Sequence, residues 1–343
     1  MRVIQSVIMI LVGISAMLLA QTVSADSLFQ DQSTLTVEIT APLSTLVRDR
    51  PEVEYLPGAF MYSEADGTRV ELDVEIRARG NFRHRNCDFP PVTLNFSRSQ
   101  VKGTLFDQQN KLKMVPHCKI TRRYAQSVVR EYLAYRLLNM VTDLSFRVRL
   151  LQVTWVDSEE RRPRMVRSAF VIEHKNRLAA RTGMEEQEIQ FAEIGTIRPD
   201  HLNLTSIFQY MIGNFDYSPV AGSDGECCHN YEMFGNSATS LVAIPYDFDF
   251  AGIVNAPNAV PNTEQGVERI GQRVYHGFCV NNSHVETSVF KLTEARDTLY
   301  ALVADQEELE SNIRENIARY MDGFYEMIED PRALESEIID NCR

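Results

Sequence analysis

The segment Arg69-Val-Glu-Leu-Asp-Val-Glu-Ile-Arg-Ala-Arg79 alternates between charged and apolar residues without a break. Successive side chains of a strand point to opposite faces, so a period of two means a β-strand with one buried and one wet face. Asp66-Gly67 before it and Gly80-Asn81 after it are turn signals, the second built from residue types that tolerate positive φ. A half-buried strand of this length needs partner strands, and its dry face needs a covering layer.

The partners are legible nearby. Residues 35–40 alternate in the same way, and Val92, Leu94 and Phe96 follow Pro90-Pro91. Further strands are expected near 112–115, over 146–155 and over 165–173, the last two joined by a polar hairpin loop at 157–163. Between them 121–140 reads as a helix, with Val128, Tyr132, Tyr135 and Asn139 on one stripe. The first half is therefore expected to be an antiparallel sheet with a helix packed on it. From 176 the pattern turns helical. A weak helix is expected at 184–194, then a better one capped by Asp200, with Leu204, Ile207, Phe208 and Met211 facing inward. Short strands are expected at 231–234 and 241–244. Residues 251–282 are loop-like, with room for a strand at 267–274, and 285–339 is helical, broken at Asp330-Pro331.

The N-terminus sets the compartment. Arg2, an apolar run over 7–20 and the small residues Val23-Ser-Ala25 make 1–25 a secretory signal peptide. The expected location is exported, periplasmic or secreted, with no stable membrane span after cleavage. The net charge of -12 excludes a general nucleic-acid binder, which presents a basic surface. Six cysteines lie beyond the signal, and an even number in an exported chain reads as disulfides. Cys87 and Cys118, among adjoining strands, are the first expected pair. Cys227 and Cys228 are expected to pair with Cys279 and Cys342, in an order left open.

The chemistry concentrates at 212–252. Three polar clusters with apolar flanks supply Asp216, Asn230, Asp247 and Asp249. Carboxylates at element ends near a core must be paired, hydrogen-bonded or bound to a cation. An Asp, then an Asn, then an Asp supplies one base and two hard oxygen ligands, as a magnesium–nucleotide site needs. The seven histidines show no ligand spacing, and no Gly-x-Ser-x-Gly nucleophile elbow occurs.

In these places the chain resembles the CotH kinase-like proteins, a divergent group related to protein kinases. Val74-Glu-Ile-Arg-Ala-Arg-Gly-Asn81 is similar to that family's IRxRGN strand and turn, and 127–138 to its first helix. Ala169-Phe-Val-Ile-Glu173 is similar to its strand ending in Glu before a hinge. Gly213-Asn-Phe-Asp-Tyr217, Asn230-Tyr231 and Pro245-Tyr-Asp-Phe-Asp249 are similar to GNxDW, NY and PWDLD. The resemblance runs in consistent order from 70 to 252. It implies an α+β, two-lobed kinase-like fold. A β-rich nucleotide-binding lobe with one main helix would span 26–174, and a mostly helical catalytic lobe 175–343.

It also implies roles. Asp216 is the expected catalytic base, Asn230 and Asp247 the ligands of magnesium or manganese, and Asp249 their support. Glu173 and the residues after it are expected to meet the adenine of ATP, or another nucleotide base, through the backbone. Gly80 and Asn81 are expected near the phosphates. Where the family often has lysines after its RGN turn, this chain has Asn86-Cys-Asp-Phe-Pro. Lys113, with Glu131 as its ion partner, is therefore the candidate phosphate-binding lysine. Lys111 is second, and Arg79, Arg83 and Arg85 are alternative phosphate holders. The expected function is an exported protein kinase of atypical type, moving phosphate from a nucleotide to a protein hydroxyl. The alternatives are a catalytically inactive kinase-like scaffold that binds an envelope protein partner, a nucleotidyl transferase using the same acids, and a metal-dependent phosphoesterase.

Overall fold

A computed structural model describes residues 27–220 and 226–343, so the signal segment read at 1–25 lies outside the described residues. Helix α1 (Ser27–Gln30) leads into β1 (Leu35–Ala41), α2 (Leu43–Asp49), β2 (Leu56–Ser63) and β3 (Arg69–Ala78). The chain continues through α3 (Phe82–Asn86), β4 (Val92–Phe96), α4 (Arg98–Val101) and β5 (Lys111–Val115). The long helix α5 (Arg122–Val141) precedes the hairpin β6 (Val148–Asp157) and β7 (Met165–Ile172).

These strands form a closed barrel in the order β1-β2-β3-β4-β5-β7-β6. It closes where β6 lies parallel to β1, from Leu35 opposite Leu151 to Ala41 opposite Asp157. The remaining neighbours are antiparallel. This corrects the expected fold class. The open antiparallel sheet of a two-lobed kinase-like layout gives way to a closed seven-strand mixed barrel, with helices mainly C-terminal. The expectation failed at two points. Strand β2 carries Pro57-Gly58 and shows little alternation, and the β1–β6 contact joins segments far apart in the chain. Gly58 serves the closure: a Cβ there would stand 2.6 Å from the Thr40 carbonyl oxygen of the neighbouring strand.

The alternation does select the barrel's inner face. Val74, Ile76 and Ala78 are buried with Phe60, Phe96 and Trp155. The Phe60 ring meets Phe96 and Phe106 edge-on at 5.3 and 5.0 Å. The interior is thus a filled core, in which each large side chain contributes roughly 1.5–3 kcal/mol. The outer faces of β6 and β7 are also dry, because Leu150, Phe170 and Ile172 pack against α5 and a core that includes Phe208, Phe248 and Phe324.

The C-terminal half begins with α6 (Lys175–Thr182) and β8 (Glu185–Glu186), followed by α7 (Pro199–Ile212). Strands β9 (Tyr231–Ser237) and β10 (Ser240–Pro245) pair with β8 in the order β10-β9-β8. Helices α8 (Val285–Glu294), α9 (Arg296–Ala304), α10 (Ser311–Glu329) and α11 (Pro331–Leu334) complete the chain. The helix expected at 184–194 does not form, since β8 pairs with β9 there and the short helix α6 precedes it. No strand forms at 267–274. Asp200 lies in the first turn of α7 and pairs with Arg198 instead of capping the helix. Gly213 ends α7 at φ 66°, and its carbonyl accepts Gly252 N–H at 2.9 Å. This close approach brings the Asp216 loop against the segment that follows β10.

Cys87 pairs with Cys118, as expected. Cys227 pairs with its neighbour Cys228, and Cys279 with Cys342, so the expected crossing between those two sets is not made. Among the described residues no helix is long and apolar enough to cross a membrane.

Candidate active site

A cleft of about 610 Å3 lies where the end of β3, β5, α5 and the loops around 216, 230 and 247 meet. Its floor is charged. After β3 the chain turns at Gly80, with φ 91°, and Asn81 opens the short helix α3. This helix carries Arg83 into the cleft. Arg83 donates through Nε to Asp249 Oδ2 at 2.8 Å and through Nη2 to Glu131 Oε2 at 2.5 Å. Asp247 Oδ1 lies 3.9 Å from the same guanidinium. Glu131 comes from α5, its side chain only 3% exposed, and its other carboxylate oxygen is buried without a partner. Burial pushes the Glu131 and Asp249 carboxyls above the ordinary carboxylate range. Arg83 opposes that shift, and the charge of Asp247 adds to it. One arginine thus serves a group of acids that it does not fully neutralise.

The expected Lys113–Glu131 pair is not made. Lys113 lies on β5 with its ammonium 3.7 Å from Glu232 and 5.4 Å from the centre of the Tyr246 ring. Arg79, next to Gly80, lines the same wall, and its Nε is buried without a partner.

Asp216 stands in the loop after α7. Its N–H donates to Asn214 Oδ1 at 3.3 Å, and Asn214 donates in turn to Gln209 Oε1 at 2.9 Å. Asn230 donates its amide to the Asp216 carbonyl at 2.6 Å and to Asp216 Oδ2 at 3.1 Å. The Asn230 carbonyl accepts Tyr246 N–H at 3.0 Å, one residue before Asp247. Asp247 N–H donates to the Tyr135 hydroxyl at 2.7 Å. Asn230 and Asp247 both hold left-handed backbone, φ 54° and 60°, a conformation that costs energy outside glycine and clusters at functional sites. The three residues that the sequence singled out are therefore joined through one network. The side chain of Asp247 is its open end, 46% exposed.

Two partners were not anticipated. His229 Nε2 lies 2.8 Å from Asp216 Oδ1, although the sequence offered only its adjacency to Asn230 as a signal. Tyr135, read as a core residue, anchors Asp247 as well. Glu173 follows β7 and is sealed from the cleft by charge pairing: Arg181 donates to its two oxygens at 3.0 and 2.8 Å. Around it Phe146, Ile172 and His174 form a small recess of about 50 Å3 that shares Lys113 and Tyr246 with the main cleft. The cleft thus has an apolar end beside the 173–174 backbone and a charged end at Arg79, Asp216 and Asp247.

Among the described residues no three His, Cys, Asp or Glu side chains form a group that could hold a metal ion. The donor set is nevertheless suited to a hard cation. Asp247 offers an open carboxylate, and Asn230 commits its amide nitrogen to Asp216, leaving its amide oxygen as the ligating atom. Magnesium characteristically takes one or two such oxygens and completes its shell with water and phosphate. The unpartnered Glu131 oxygen is a further open acceptor on the same wall. Asn230 and Asp247 could so hold magnesium or manganese, and Asp249 is tied to Arg83. No model of a known protein family matches the chain, and no curated protein matches it.

Proposed function

We propose that the cleft binds a nucleoside triphosphate with magnesium or manganese and transfers a phosphoryl group to a hydroxyl of a protein substrate. The observation that carries this reading is the linked Asp216, Asn230 and Asp247 network at the charged end of a cleft whose other end is apolar. The base would lie between Ile172, Phe146 and Tyr246, where the Glu173 carbonyl and the His174 N–H would meet it, the Glu173 N–H being committed to the Arg147 carbonyl. Arg79 and Lys113 would hold phosphate oxygens, and the turn at Gly80 and Asn81 would approach them with main-chain N–H groups. Asn230 and Asp247 would hold the cation, which supplies charge neutralisation of the phosphates when bound. Asp216 would orient the acceptor hydroxyl and take its proton, while His229 and Asn230 hold one carboxylate oxygen each. The ordered resemblance to the CotH kinase-like proteins supports the same assignment, and three cysteine pairs favour an exported protein.

The test uses radiolabelled ATP, a divalent cation and a hydroxyl-bearing protein acceptor, with the chain's own hydroxyls as the first acceptor. Asp216→Asn is expected to lower turnover by about 10²–10⁴-fold with nucleotide affinity retained. Asp247→Asn is expected to weaken cation-dependent nucleotide binding itself. Wild-type transfer equalled by both variants would overturn the assignment. Cation-dependent binding without transfer to any acceptor would favour a nucleotide-binding scaffold.

A further inference from the structure

A second recess, of about 340 Å3, lies between the first half of α5 and the start of α10. Three arginines of α5 line it, Arg122, Arg123 and Arg130, against a single acid, Glu310. This is a local reversal of sign in a chain of net charge -12. Arg122 is compensated, because it pairs with Glu310. Among the described residues no hydrogen bond or ion pair engages the Arg123 guanidinium, while its backbone carbonyl accepts the Ser127 hydroxyl at 2.9 Å. Arg130 donates one guanidinium nitrogen to the Val254 carbonyl at 3.1 Å, while its Nε is sealed from water without a partner. Arg123 and Arg130 are two helical turns apart, so both project from one face of α5. The first turn of α5 contains no acid, and its free N–H groups add positive potential at the same end. A solvated basic face would leave its guanidinium nitrogens in water. Here one is withdrawn from water, and Arg123 lines the same recess with a like charge.

We propose that this recess is an anion site for a phosphate-type ligand, inorganic phosphate or pyrophosphate, held by Arg123 and Arg130. Paired guanidiniums offer forked donors that match phosphate oxygens, and the volume exceeds that of one phosphate. The site is connected to the cleft by the chain itself. Arg130 precedes Glu131, the partner of Arg83, and its contact at Val254 lies just beyond Asp249. Ser127 lines both this recess and a smaller cavity that reaches Arg83, Glu131 and Asp249. An anion here would bear on the helix and loop that shape the cleft, whatever the cleft binds.

The experiment is calorimetric titration of the whole protein with pyrophosphate in the absence of divalent cation. The cleft also contains arginines, so Arg123→Glu is compared with Arg79→Gln. Arg123 is exposed, and Arg123→Glu is expected to keep the wild-type melting temperature while weakening one class of binding at least tenfold. Arg79→Gln is expected to leave that class unchanged. Arg130→Gln should weaken it in the same way as Arg123→Glu. Titrations unchanged by Arg123→Glu, or binding abolished by Arg79→Gln alone, would overturn the proposal. Magnesium–ATP binding measured on the same Arg123→Glu protein separates this outcome from failure of the cleft assignment.

Discussion

The Arg83 guanidinium donates to two buried carboxylates at once, so removing it strands both Glu131 and Asp249. Breaking a buried pair by deleting one partner typically costs about 3–5 kcal/mol, because the remaining charge is uncompensated. Arg83→Met should therefore lower unfolding stability by up to about that amount in urea titrations above pH 8, where both carboxyls are ionised, and by less below pH 7, where they take protons. Adding Glu131→Met should recover part of the loss. An Arg83→Met protein within 1 kcal/mol of wild type, a loss about the size of a single ordinary hydrogen bond, would contradict this role. The same residues show what a sequence can disclose at this scale. Asp216, Asn230 and Asp247 were legible because acids set between apolar residues must find partners. Their partners were less so. The sequence offers Arg83 only as one of three arginines that could hold phosphate, and it matches Glu131 with Lys113. The pairing depends on α3 folding over the cleft, a matter of tertiary geometry that no local pattern encodes. His229 carries no signal of its own in the sequence, because it gains meaning only when the chain brings it to Asp216.

Among elements, β3, α5 and α7 were legible because their apolar periods are long and their boundaries carry turn or proline signals. Strand β2 and the β6–β1 pairing were not, and these two turn a sheet into a barrel. The disulfides sit differently on this framework. Cys279–Cys342 closes 63 residues of chain, and beside it Cys279 N–H donates to Arg343 O at 3.0 Å while Arg343 N–H donates to Gly277 O at 2.8 Å. Loop-closure entropy for a span of that length is about 4 kcal/mol, whereas the adjacent pair Cys227–Cys228 closes no loop. Replacing Cys279 and Cys342 together by serine should lower global stability by several kcal/mol, of the order that loop-closure entropy gives. Replacing Cys227 and Cys228 together by alanine should leave it nearly unchanged. Thermal melting of the two variants under non-reducing conditions tests the contrast, and equal losses would refute it.

At the scale of the whole molecule, buried titratable groups of opposite behaviour set the pH of greatest stability. His117 beside the barrel, His201 on α7 and His276 in the long loop are all buried, and burial lowers each from 6.5 to about 4. Between those values the unfolded chain binds more protons at these sites, so stability rises with pH and is fully present above 6.5. Glu131 and Asp249 act in the opposite sense. Their raised folded values, about 8 and about 7, make their contribution complete at low pH and lost as pH rises through those values. From pH 4.5 to 6.5 the lowered histidines, His174 among them, outnumber the two raised carboxylates, and stability should climb with pH. Above 6.5 only the carboxylates remain, and stability should fall. Urea midpoints measured in chelator from pH 4 to 9 are therefore expected to peak near pH 6.5. His201→Gln should flatten the acid limb and Glu131→Gln the alkaline limb. A peak above pH 8, or an alkaline limb indifferent to Glu131→Gln, would show that the buried acids do not carry the protons assigned to them.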